Sequence, residues 1–310
     1  MMRHSVPLIE CVPNFSEGRR PDVISAITQA AAGPDVFILD VSSDADHNRT
    51  VLTMAGEPAA VAEALMRAAQ VAIERIDLER HEGVHPRLGA VDVVPFIPLE
   101  GVTLEDCARL AREVGKRAAD MFMLPVYLYE AAALRPERQN LADIRRGGYE
   151  ALKTDIAHDP ARQPDYGPAA LPRYGAMVIG ARLPLIAFNA YLDTSDVSIA
   201  RTIAERVRES GGGLKYLKAL GLLVKGQAQV SMNVIDYRHT SLHTILSEVR
   251  AQAESLGTRV THTELVGLSP IAALLDAARE SLQLEDDIRR HILEYRLGAF
   301  TGHFRELSFE

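Results

Sequence analysis

The sequence predicts an α/β (α+β) protein of two ferredoxin-like βαββαβ subdomains with a cleft between them. Three observations lead there. Strand and helix patterns alternate along all 310 residues. In the second half their order is β-α-β-β-α-β, the split βαβ arrangement. The first half shows that order from Leu8 to Ile97, with an extra helix and strand appended. No residue-level repeat joins the halves. The subdomains are expected at 1–178 and 179–310.

Leu8 to Val12 reads as a short buried strand. Pro21 opens a helix through Ala31, with Val23, Ile24 and Ile27 on one side and Gly33-Pro34 as its stop. Val36 to Val41 is a strand, Ser42 to His47 a polar turn, and Thr50 to Ala55 a second strand. Pro58 begins a long helix whose Val61, Leu65, Ala68, Ala69, Ala72 and Ile76 follow the 3.6-residue period. The Arg80–Gly89 loop leads into an apolar strand, Ala90 to Ile97. Thr103 caps a helix to Ala119, with Asp106 nearby. Pro125 to Tyr129 is a strand, and a helical stretch at Leu141–Arg145 ends at Gly147-Gly148. Thr154 to Gly175 is long, irregular and proline-rich, the profile of a functional loop or a linker.

The second half opens with a strand at Leu185–Leu192 and a turn at Asp193–Ser195. A helix at Val197–Arg208 ends at Gly211-Gly212-Gly213. These glycines lack phosphate-loop spacing and read as a terminator. Strands at Ala219–Val224 and Ala228–Asp236 meet at Lys225-Gly226. A helix at Ser241–Ser255, a strand at Arg259–Glu264 and a terminal helix at Glu285–Leu297 follow.

Composition removes several function classes. Aromatic residues make up 5% and Trp is absent, which argues against a stacking surface for single-stranded nucleic acid. The net charge of −8 comes without a basic run, so no duplex-binding face is expected. No stretch approaches the roughly 18 apolar residues of a membrane span, and the first twenty residues do not resemble a signal peptide. Two cysteines, Cys11 and Cys107, make no disulfide scaffold and fit a reduced, cytoplasmic setting.

His81-Glu82-Gly83-Val84-His85 matches H-E-x-x-H, the helical zinc-hydrolase signature. The physics opposes that reading. Gly83 disfavours a helix interior, Pro86 biases His85 toward extended backbone, and no third ligand is evident. No metal site is expected there. His239 and His243 sit four residues apart at a helix start, where a solvated face is favoured over a metal pair. The Arg80–Gly89 loop instead presents a histidine restrained by a proline, with Arg87 two residues on.

Several segments together resemble one family. They include Glu10-Cys11-Val12-Pro13-Asn14-Phe15-Ser16-Glu17-Gly18, Asn48-Arg49-Thr50-Val51 and His85-Pro86-Arg87-Leu88-Gly89-Ala90-Val91-Asp92. Ile144-Arg145-Arg146-Gly147-Gly148-Tyr149-Glu150, Pro164-Asp165-Tyr166-Gly167-Pro168, Leu185-Ile186-Ala187-Phe188-Asn189 and Leu265-Val266-Gly267-Leu268 continue the match. From Ile9 to about Ala278 the chain resembles the glutamate formimidoyltransferases (formiminotransferases), in the single-function form without a cyclodeaminase domain.

That resemblance implies transfer of the formimino group from N-formimino-L-glutamate to tetrahydrofolate, a co-substrate, in histidine catabolism and one-carbon metabolism. It implies a homodimer and places the catalytic histidine at His85. It places the folate-binding loop at Gly167, Pro168, Ala169, Ala170, Leu171, Pro172, Arg173, Tyr174 and Gly175. One imidazole there can take a proton from the folate amine and deliver one to the departing glutamate nitrogen.

The candidate substrate-binding residues are Asn14, Asp40, Asn48, Arg49 and Arg87. Arg49 and Arg87 could fork onto a carboxylate, the alternative for Arg87 being a salt bridge with Glu82 or Asp92. Asp40 could hold His85 or the amidinium, or serve a turn. Asn14 could bind a ligand or close an Asx turn. For Asn189 and Gln229 a buried hydrogen-bonded role is expected. The competing functions are a related one-carbon transferase using formiminoglycine, formyl-folate or N-formylglutamate, a zinc hydrolase, and a non-catalytic folate-binding protein.

Overall fold

The structure, a computed structural model, describes residues 6–301 and residue 304. It divides into two compact units, the first ending at Leu183 and the second beginning at Pro184.

The first unit is built on a seven-stranded sheet. Its elements begin with β1 (Leu8–Cys11), β2 (Asn14–Phe15), α1 (Pro21–Ala31), β3 (Val36–Asp44), β4 (Arg49–Gly56), α2 (Pro58–Arg75) and β5 (Val91–Glu100). β1 lies antiparallel between β5 and β4, and β3 pairs antiparallel with β4. This is the ferredoxin-like order, fourth strand, first, third, second. β2 continues the line of β1 and also bridges β4 and β5.

The appended part comprises α3 (Leu104–Phe122), β6 (Val126–Glu130), α4 (Leu141–Ile144), α5 (Gly148–Asp155) and β7 (Met177–Ala181). β7 lies parallel between β5 and β6.

Apolar periodicity explains the layers. α2 buries Val61, Leu65, Ala68, Ala69 and Ala72 against the sheet. Each large aliphatic side chain buried this way contributes roughly 1.5–3 kcal/mol. Thr103 and Asp106 form a reciprocal capping box that starts α3. β5, β6 and β7 are buried on both faces. Val94, Phe96, Leu128 and Ile179 join the main core, while Val93, Tyr127, Tyr129 and Val178 pack with Ile144, Leu152 and Ile156 of the α4–α5 region. That second cover positions Arg145 and Glu150 near the loop before β5.

The second unit has β8 (Ile186–Leu192), α6 (Val197–Val207), β9 (Leu217–Val224), β10 (Gln227–Val234), α7 (Leu242–Ser255), β11 (Val260–Val266), α8 (Ile271–Ser281) and α9 (Leu293–Thr301). Its sheet order is β11-β8-β10-β9, all antiparallel, again the ferredoxin-like order. Ile203, Ala204, Ile245 and Val249 of the helices cover Phe188, Ala190, Val230 and Met232. α6 ends at Val207, where Arg208 is already extended, so the glycine run does not stop this helix; Gly212, at φ 86°, closes the short 3₁₀ turn Glu209–Gly211 that follows.

Several elements differ from the sequence expectation. β3 runs through Asp44, because Ser42 and Ser43 pair with Val51 and Thr50 and their hydroxyl-bearing side chains fit the pleat. Only Ala45–Asn48 turns. Gly147-Gly148 does not end the helical region. Both glycines take positive φ, redirect the chain and open α5, which buries Tyr149 and Leu152. Met177–Ala181 is a strand of the first sheet, so the unit boundary falls after it rather than at 178. The expected Glu285–Leu297 helix is a 3₁₀ turn at Ile288–His291 followed by α9, since the Asp287 side chain caps a new start at Arg289 N–H. α8 was not anticipated.

Candidate functional site

The residues before β5 make no helix. Arg80 to Ala90 is irregular backbone with bends and a single isolated bridge at Gly89. His81 Nε2 lies 2.9 Å from the Asn48 carbonyl oxygen, whereas His85 Nδ1 lies 2.7 Å from the Pro86 carbonyl oxygen. The two imidazoles are thus committed to different backbone groups, and the helical zinc motif is not formed. Among the described residues, no group of three or more His, Cys, Asp or Glu side chains is arranged to hold a metal ion. His239 Nδ1 instead meets Asp236 Oδ2 at 2.9 Å.

The His85 segment is clamped to the β3–β4 turn. Asn48 is buried at φ 47°, a left-handed conformation that asparagine tolerates. Its Oδ1 accepts from Gly18 N–H at 2.9 Å and its Nδ2 donates to the Glu82 carbonyl at 2.9 Å. Val84 N–H donates to the Asp46 carbonyl at 3.1 Å. A Cβ on Gly83 would strike the His47 carbonyl, so only glycine permits this approach. His47 and His85 meet edge to face, ring centroids 5.8 Å apart.

Beside His85 lies a buried charge cluster. Asp92 is 0% exposed. Its Oδ1 accepts from Leu88 N–H at 2.8 Å, and its Oδ2 accepts from Arg49 Nη1 at 2.6 Å and from Arg145 Nη2. Asn14 Oδ1 accepts from Arg49 Nε at 3.1 Å, while Asn14 Nδ2 donates to the Val12 carbonyl at 2.8 Å. Asn14 therefore orients Arg49.

The electrostatics follow from this packing. Burial pushes the Asp92 carboxyl up, but Arg145, Arg49 and the bonds from Arg49 and Leu88 N–H outweigh it and hold the group at about 2. Burial pulls Arg49 down to about 10 against the attraction of Asp92. Burial, then Arg49 and Arg145, hold His85 well below the ordinary imidazole value. His85 is accordingly neutral at pH 7. A carbonyl can only accept, so Nδ1 carries the proton and Nε2 the lone pair.

The sequence-expected residues separate into groups. His85, Asn14, Asn48, Arg49 and Arg87 come together. Arg87 pairs with neither Glu82 nor Asp92. Its Nη2 donates to Glu150 Oε1 at 2.9 Å and to the His81 carbonyl at 3.0 Å, because Asp92 is already occupied by Arg49 and Arg145. Asp40 stands apart. It pairs with Thr53, whereas Asp44 pairs with Arg49, placing Asp40 about 13 Å along the sheet from Arg49. In the second unit, Asn189 Nδ2 donates to Glu264 Oε2 at 3.2 Å, and Gln229 is buried with its Oε1 unbonded.

The Gly167–Gly175 loop is anchored at both ends. Tyr166 pairs with Val126 before it. At its close, Leu78 N–H donates to the Arg173 carbonyl, Ala90 N–H to the Tyr174 carbonyl (both 2.8 Å), and Ala176 N–H to the Leu88 carbonyl at 2.9 Å. Leu171 and Tyr174 pack on the core, leaving Ala169 and Ala170 exposed. Loop and His85 segment thus share a backbone seam at Leu88–Ala90.

Sequence reasoning passed over Arg145 and Asp92 as site residues. Asp92 carried a signal, being the charge inside an apolar strand, and such residues are rarely buried without partners. Arg145 lies in the Ile144–Glu150 segment that carries the family resemblance, but nothing local assigns it a role, since its partner lies 53 residues earlier.

Residues 8–182 match the family model described as "Formiminotransferase domain, N-terminal subdomain", and residues 187–294 match "Formiminotransferase domain". The chain is 41% identical to the glutamate formimidoyltransferase of Streptococcus pyogenes, over 94% of this chain and 98% of that protein. It is 43% identical to that of Thermoplasma acidophilum, over 94% and 97%. The mouse formimidoyltransferase-cyclodeaminase is 44% identical over 94% of this chain and 56% of its own length. The chain belongs to the formiminotransferase family.

Proposed function

We propose that the chain transfers the formimino group of N-formimino-L-glutamate to tetrahydrofolate, with His85 moving the protons. The carrying observation, beside the family, is the His85 imidazole. Its Nδ1–H is tied to Pro86, its Nε2 keeps the lone pair, and it stays neutral beside Arg49 and Arg145.

Folate N5 attacks the amidine carbon and forms the new C–N bond. Nε2 of His85 takes the N5 proton. The imidazolium, a strong acid because its pKa is depressed, then protonates the glutamate nitrogen as the old C–N bond breaks. The products are 5-formiminotetrahydrofolate and glutamate. Acid–base help of this kind supplies about 10² to 10⁴ in rate, and holding two substrates together supplies at least as much.

The proposal gives Gly167–Gly175 the folate, because its backbone seam with Leu88–Ala90 would keep a bound folate beside His85. Asn14 and Asn48 hold the arginine and the loop in place. A cytoplasmic homodimer belongs to the same reading. Its dimeric state is checked by light scattering. Among the described residues no helix is long and apolar enough to cross a membrane.

The test is a donor screen with tetrahydrofolate as acceptor, read as 5-formiminotetrahydrofolate. Formiminoglutamate should be turned over far better than formiminoglycine or N-formylglutamate. Preference for another donor, or formyl transfer alone, would replace this reading.

A further inference from the structure

We propose that Arg145, paired with Arg49 across Asp92, binds the α-carboxylate of the formimino donor. This rests on the formimino-transfer reading and adds to it the subsite that recognises the donor.

The cluster holds one negative charge and two positive ones. Among the described residues, Asp92 is the carboxylate that each arginine pairs with. Arg49 alone neutralises it, so Arg145 is the surplus cation. Arg145 also keeps a buried Nε with no hydrogen-bond partner. The surplus charge of a half-buried guanidinium and an unspent buried Nε–H donor both favour an incoming anion. The guanidinium fork matches a carboxylate better than any other common anion except phosphate.

Position selects which carboxylate. Asp92 Oδ1 is bonded by Leu88 N–H, three residues beyond His85, and its Oδ2 holds Arg49 and Arg145, so both guanidiniums stand against the segment that carries the His85 ring, the group that serves the reacting nitrogen. In the donor, a single carbon separates that nitrogen from the α-carboxylate, while the γ-carboxylate lies two carbons further away. A cation next to the proton-transfer imidazole is therefore matched to the α-carboxylate. Recognition of the γ-carboxylate falls to other residues.

The experiment compares wild-type protein and Arg145→Gln with three donors, N-formiminoglutamate, its α-amide and its γ-amide, with tetrahydrofolate as acceptor. Wild-type kcat/KM should fall about 10²-fold for the α-amide. This arm needs no substitution and so cannot be confused with misfolding. Arg145→Gln should lose a similar factor with formiminoglutamate, mostly through donor KM, and with the γ-amide. It should lose little more with the α-amide, the folate KM should stay unchanged, and Arg145→Lys should recover part of the loss. Equal losses with all three donors would assign Arg145 a structural role and overturn the proposal, as would full activity of the variant or of the α-amide. Failure of wild-type protein to use formiminoglutamate would show in the first assay, and it would defeat the formimino-transfer reading and this one with it.

Discussion

His85 Nδ1 lies 2.7 Å from the carbonyl oxygen of Pro86, the residue that follows it. One neighbour therefore limits the backbone of His85 and also fixes its tautomer. Burial, with Arg49 and Arg145 behind it, then keeps the ring unprotonated well below the usual value of 6.5, against the pull of Asp92 and the Pro86 bond. Activity should follow the neutral ring. We expect kcat/KM to rise with pH along a single acid limb centred below 6.5 and to be level near neutrality. His85→Ala should lower turnover about 10²-fold or more while folate still binds. Stability should share the sign. The unfolded imidazole takes its proton first as pH falls, so the contribution is complete above the unfolded value and is lost beneath it. Urea titrations of wild-type protein and His85→Gln across that range would show it, and an acid limb above the ordinary imidazole value would contradict the assignment.

Asp92→Asn should damage the fold more than loss of either arginine. It leaves the buried Arg49 guanidinium and the half-buried Arg145 guanidinium without their anion, and breaking a buried pair in this way costs about 3–5 kcal/mol. Arg145→Gln leaves a balanced Arg49–Asp92 pair and should melt close to wild type. The carboxyl is held at about 2 rather than 3.8, so its stabilising share, about 2 kcal/mol, is present above pH 3.8 and lost as pH falls toward 2. Thermal melts of the three proteins, and of wild type below pH 4, test both statements.

The parts of this fold that are written locally were legible in the chain. α1 and α2 follow their period and begin at prolines, and Thr103 with Asp106 announces α3. What escaped depends on distant partners. β7 is a short run whose pairing partners, β5 and β6, lie far away in sequence, and α5 is hidden behind two glycines that resemble a stop. The site divides likewise. His85 could be found from the proline beside it and the family resemblance. Arg145 could not, because its role is set by Asp92. Asp40 was a reasonable choice from its place in a strand, but the register with Thr53 sets it well along the sheet from Arg49.

Gly175→Ala tests whether the loop and the His85 segment work as one piece. Gly175 has φ 75°, and a Cβ there would strike the Leu88 carbonyl. The left-handed conformation alone costs roughly 1–2 kcal/mol for alanine, and relieving the collision must open the seam at Leu88–Gly89. The substitution should therefore weaken folate binding and slow turnover together. Ala169→Ser, at the exposed middle of the same loop, should affect at most the folate KM. Steady-state kinetics with folate varied would separate the two, and an unchanged kcat in Gly175→Ala would show that the seam does not carry position to His85.

Asn48 joins three segments, through Gly18, Glu82 and its own left-handed turn. Asn48→Gly keeps the backbone permitted and removes both side-chain bonds, whereas Asn48→Ala removes the bonds and adds strain. The glycine variant should lose about 1–3 kcal/mol of stability for the two broken bonds, and the alanine variant about 1 kcal/mol more. Both should lower kcat with little change in donor KM, because the contacts of Arg49 with Asn14 and Asp92 survive while the loop presenting His85 loosens. Urea unfolding gives the first comparison and steady-state kinetics the second. If donor KM rose while kcat held, Asn48 would be a substrate contact rather than the clamp that steadies the imidazole.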